Sequence, residues 1–63
     1  MGKSISIEFL DEIRIVQENM EKHGGGFVRA LAKALSLADL ENSIKIKDAW
    51  PDLWDLYLNW DRK

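Results

Sequence analysis

Apolar residues in the first third of the chain recur at helical spacing. Phe9, Ile13, Val16 and Met20 are separated by four, three and four positions, and Leu10 widens the stripe. Ser4 or Ser6 can cap such a helix, with Glu8 near its positive end. Glu18 and Lys22 form an i,i+4 pair in the favourable order. Lys22 and His23 occupy the last turn, where positive charge suits a helix C-terminus. Gly24 suits the left-handed position that ends a helix, and Gly25 and Gly26 permit a sharp reversal. The pattern predicts a helix over residues 6–23, with residues 1–4 frayed. Ile5 and Ile7 alternate with serines, so a short strand is the alternative there.

A second helix is predicted to start near Phe27. Phe27, Leu31, Leu35 and Ala38 make its apolar stripe, which Val28 extends. Ala30, Ala32 and Ala34 give it strong helix propensity and a thin profile that lets another helix approach closely. Two amphipathic helices joined by a short glycine loop imply an antiparallel hairpin. Asp39 is the expected cap of a third helix. Leu40 and Ile44 share one of its faces, and Ile46 and Trp50 another. Residues 43–47 alternate apolar and charged as a strand would, but the helical context decides for a helix. Pro51 resets the chain: it biases Trp50 away from helical angles and suits a first helical position, with Asp52 next. The last helix is expected over residues 51–60. Trp50, Trp54, Tyr57 and Trp60 recur at four, three and three, and Leu53, Leu56 and Leu58 cover most of the remaining circumference. A helix apolar nearly all round needs cover on more than one side.

The chain has 63 residues, enough for one domain (residues 1–63). Domains this small usually need a staple. There is no cysteine, so disulfides and thiolate metal sites are excluded, and the single histidine cannot make a multi-histidine site. No cofactor is implied. Oligomerisation is the staple that remains. The expected fold is therefore all-α: three to four short helices, an antiparallel hairpin plus a Trp-rich C-terminal helix, assembled as a homo-oligomer. No apolar run approaches the ~20 residues of a membrane span, and no apolar segment follows Lys3 as in a signal peptide. The cytoplasm is the expected compartment.

The net charge of -2 is unevenly placed. Residues 22–38 carry Lys22, Arg29 and Lys33 and no acid; residues 48–61 carry Asp48, Asp52, Asp55 and Asp61 and no base. One molecule's basic segment can attract another's acidic end, or its own; solvated faces are the plainer reading. A duplex DNA binder would be more basic.

The run His23-Gly24-Gly25-x-Phe27-Val28-x-Ala30-Leu31-Ala32, then Ala38-Asp39, then Ala49-Trp50-Pro51-x-x-Trp54-x-x-Tyr57, resembles a set of very short proteins encoded by tailed phages and prophages. The likeness covers about residues 20–58. It implies a small phage accessory protein in the cytoplasm of the infected cell, and it carries no catalytic residue with it. Gly26 stands where a serine is expected, which removes a candidate N-cap.

Two stretches bear candidate chemistry. The first is the glycine loop ahead of a helix, where free N–H groups and the helix dipole favour an anion. His23, Gly24, Gly25 and Gly26 with Arg29 and Lys33 form the set that would hold a nucleotide or another phosphate-bearing ligand. No phosphate-loop pattern is present and no strand leads in, so an interhelical turn is the default reading. The second is the aromatic stripe Trp50, Trp54, Tyr57 and Trp60 with Asp52 and Asp55, expected to be part core and part interface. Asp48, Asp52 and Asp55 can form an acidic ridge toward a basic protein. Nothing supplies the desolvated carboxylate pair or the nucleophile of a hydrolase. The favoured function is non-enzymatic: binding a host or phage protein, plausibly to blunt a host defence. The alternative is an oligomeric sponge for a small anionic ligand such as a nucleotide signal. DNA binding by a helix-turn-helix-like pair ranks last, because the third helix lacks a strong basic face.

Overall fold

Each change of direction falls where the sequence supplies a stop. The computed structural model describes residues 7–60, which form four helices: α1 (Ile7–His23), α2 (Gly26–Leu37), α3 (Leu40–Ala49) and α4 (Pro51–Leu58). Residues 43–47 are helical. The serine caps, the frayed terminus and the short strand expected near residues 4–7 fall at or outside the edge of the described residues. α1 packs along α2 and α4, and α3 bridges α2 and α4 at one side.

The joint between α1 and α2 differs from the expected left-handed cap. None of the described glycines has a positive φ. Gly24 continues the pattern of α1, its N–H donating to Met20 O at 2.9 Å. What requires glycine there is space: a Cβ would lie 2.7 Å from Met20 O and run into the Val28 side chain. Gly25 is the N-cap of α2, in an extended conformation, and makes no side-chain cap bond. Gly26 is therefore the first helical residue, and a serine at that position would not be the cap.

The other joints follow their sequence signals. The Asp39 carboxylate accepts from Asn42 N–H at 2.9 Å and caps α3. Trp50 serves both neighbours. Its N–H donates to Ile46 O at 3.1 Å, closing α3, and its carbonyl accepts from Trp54 N–H at 3.0 Å, opening α4. Its backbone sits at φ -132, ψ 65, outside the helical region that Pro51 denies to the residue before it.

The core is built by three of the four helices. Val16 and Met20 come from α1, Leu31, Ala32 and Leu35 from α2, and Trp54 and Tyr57 from α4. α3 contributes a buried Ser43. Phe27 departs from the expected stripe: it is 59% exposed. It lies at the start of α2, beside the joint of α3 and α4, and its ring meets Trp50 edge-on at 5.8 Å. Two polar links cross the core. Buried Asn19 donates from Nδ2 to Tyr57 O at 2.7 Å, a carbonyl at the end of α4 that otherwise accepts only a long 3.5 Å bond from Trp60 N–H. Trp54 Nε1 donates to Glu12 Oε2 at 2.5 Å. No buried side-chain nitrogen or oxygen among the described residues lacks a partner.

Candidate functional site

The glycine joint is more committed to structure than its composition suggests. The His23 ring stacks on Trp60 at 4.7 Å with an interplanar angle of 11°, and Trp60 stacks on Tyr57 at 5.2 Å. This aromatic column ties the end of α1 to the turn after α4. His23 is thus engaged by its ring face, and Gly24 is tucked under Val28. Gly25 and Gly26 face open space. α2 begins with no side-chain cap and no acid in its first turn. Arg29 and Lys33 are exposed and, among the described residues, have no ion-pair partner. The six residues singled out in the sequence for an anion therefore divide into two structural ones, His23 and Gly24, and an exposed set formed by Gly25, Gly26, Arg29 and Lys33.

The aromatic stripe divides in the same way. Trp54 is 1% exposed and Tyr57 is buried, so both belong to this chain's own core. α1 supplies much of the cover that so apolar a helix needs. Trp60 is half-buried in the aromatic column. Trp50 is 40% exposed and is the member of the stripe that offers surface. Asp52 and Asp55 point away from the core together with Leu56 and Asn59: positions 52, 55, 56 and 59 share one helical face, and all are exposed. Leu56 is 50% exposed. Among the described residues neither aspartate has an ion-pair partner.

Three features escaped the sequence. The first is a polar clamp on Trp54. Glu12 Oε2, which accepts the indole N–H, also meets Lys47 Nζ at 3.1 Å. The same ammonium lies 5.2 Å from the Phe9 ring centre and 5.8 Å from that of Trp54. Glu12 and Lys47 sit on different helices and no periodicity links them. The second is Asn19, whose partner is a backbone atom far along the chain. The third is a groove of ≈520 Å³ between α2 and α3, walled by Ala34, Leu37, Ala38, Ile46, Ala49 and Trp50, with Asn42 and Lys45 as its polar members. Its signal was present: Phe27, Ala30, Ala34 and Leu37 recur at three, four and three on the face of α2 not used by the core.

No cluster of three or more histidine, cysteine, aspartate or glutamate side chains suited to a metal occurs among the described residues. No described helix is long and apolar enough to cross a membrane. Comparison of the chain with protein-family models, with curated proteins and with solved structures gives no match.

Proposed function

We propose that the chain is a non-enzymatic phage accessory protein that acts by binding a host or phage protein through the outer face of α4, blunting a host defence. The phage origin rests on the resemblance of residues 20–58. The binding reading rests on one observation: Leu56 is half exposed beside Asp52 and Asp55, on a helix whose opposite face is held rigid by Trp54 and Tyr57. An apolar contact rimmed by unpaired carboxylates suits a partner with a basic rim, and such complementarity sets specificity and speeds encounter. The test is capture from infected-cell lysate on a tagged bait. The native chain is expected to retain a partner, and the Asp52→Lys/Asp55→Lys chain to lose it. Asp52 also sits in the first turn of α4, where reversal costs about 0.3–1 kcal/mol through the helix dipole. Asp55→Lys alone avoids that cost and is expected to weaken capture by itself. Equal capture by native and reversed baits would sink the reading.

A second reading has its own support in the uncapped, acid-free start of α2 beside Arg29 and Lys33. There the protein sequesters a small anionic ligand, such as a nucleotide, at Gly25 and Gly26. Binding to the folded state alone would stabilise it by about 2.7 kcal/mol at a hundredfold excess over Kd. A melting temperature unmoved across mono-, di- and cyclic nucleotides argues this reading away.

A further inference from the structure

The outer face of α2 and the groove beside it have no cover among the described residues. Phe27, Ala30, Ala34 and Leu37 are all exposed, Leu37 by 75%. Their three–four–three spacing is that of a seam between packed helices, and the two alanines at its centre allow close approach. The groove wall opposite is supplied by Asn42, Lys45, Ile46 and Ala49 of α3 and its cap Trp50. Three of the six large hydrophobic side chains most exposed in the described residues (Phe27, Leu37 and Trp50) belong to this face.

The two edges of the face carry opposite charge. Beyond Leu37, on the side of α2 away from α3, stand Arg29 and Lys33, one turn apart. On the side of α3 away from α2 stand Glu41 and Asp48, two turns apart. Lys45 lines the groove beside that edge and leaves the two together net negative. All four edge residues are exposed, and none has an ion-pair partner among the described residues.

We infer that a second copy of this chain covers the face, related by a two-fold axis running along the groove. That axis carries the α2 edge of one copy over the α3 edge of the other. Phe27 and Ala30 then pack on Ala49 and the Trp50 side of the groove, Ala34 and Leu37 on its Lys45 and Asn42 end, and the Arg29–Lys33 edge meets the partner copy's acidic edge, twice over by symmetry. An axis across the groove instead would set Lys33 against its own copy. The size is adequate: a stable interface needs about 800 Å² per partner, roughly a fifth of the 4389 Å² surface of the chain, and the face spans two of four helices. A core of seven buried apolar side chains among the described residues, in a chain without cysteine, has reason to take such a staple. The inference uses a different face from the α4 reading and stands or falls separately.

The test is sedimentation equilibrium of the native chain and three variants up to high micromolar concentration, with helicity checked by circular dichroism. The native chain is expected at twice its 7.3 kDa mass. Leu37→Glu is expected at single mass; if it loses helicity, Ala34→Arg takes its place. Arg29→Glu/Lys33→Glu is expected to dissociate, and adding Glu41→Lys/Asp48→Lys to the same chain to restore the double mass. A native chain at single mass leaves the face to a different protein and overturns the inference. A double mass that survives Leu37→Glu, or a four-site swap that fails to restore it, overturns the geometry of the pairing.

Discussion

Trp54→Ala is expected to leave the chain unfolded, or nearly so, at room temperature. The indole is the largest fully buried side chain, and three helices depend on it. Its ring lies 6.4 Å from that of Phe9 on α1, its N–H is bonded to Glu12, and its π face lies near the Lys47 ammonium of α3. Truncating a buried tryptophan costs about 3–5 kcal/mol. A domain this small has a total stability of about 5 kcal/mol. The loss therefore takes most of the margin before Glu12 is counted. Trp54→Phe separates packing from polarity. It keeps most of the contact area and deletes the indole N–H, at about 1.5 kcal/mol, the low end for a bond to a charged group. The low end applies because Glu12 keeps Lys47 and some access to water. Thermal denaturation followed at 222 nm distinguishes the two. A Trp54→Ala chain with a native-like transition would mean that α4 does not anchor the core.

The three glycines of the joint are expected to respond in opposite directions, although they are chemically identical and adjacent. Gly24→Ala places a methyl group 2.7 Å from Met20 O and against Val28, so α1 and α2 must move apart. Overpacking of this kind costs about 1–3 kcal/mol, which in a domain of this size lowers the melting temperature by about 5 °C or more. Gly26→Ala adds a methyl group in open space at the first helical position. It is expected to stabilise by about 0.4–1 kcal/mol, chiefly by restricting the unfolded chain. Gly25→Ser supplies the missing cap side chain and is expected to gain a few tenths of a kcal/mol. Equal losses at all three positions would point to a joint that needs glycine's backbone freedom, contrary to the absence of positive φ.

The helices were legible in the sequence because their signals are local. Asp39 and Pro51 mark helix starts by chemistry that acts within three residues, and the structure has both. The buried face of α1 follows from the spacing of Val16 and Met20. The glycine run announced a break but not its cause, because two different causes, backbone freedom and lack of room, ask for the same residue. The fate of the tryptophans was less visible. Spacing puts Trp50, Trp54 and Tyr57 near one stripe, yet Trp50 precedes Pro51 and leaves the helical path, so it alone turns out to solvent. Phe27, on the expected apolar stripe of α2, stays outside the core for a related reason. α2 has apolar residues on two faces, and nothing within the helix says which of them α1 will take. Long-range polar pairing, as between Glu12, Lys47 and Trp54 or between Asn19 and Tyr57, has no sequence period and is visible only once the helices are packed.

The claim that the outer face of α4 is a protein-binding surface is tested most directly by capture on three baits in parallel: native, Asp55→Lys and Leu37→Glu. The α4 face predicts that native and Leu37→Glu baits retain the same partner, that raising salt releases it, and that Asp55→Lys loses most of it. Retention unchanged by Asp55→Lys, at any salt concentration, would contradict the claim.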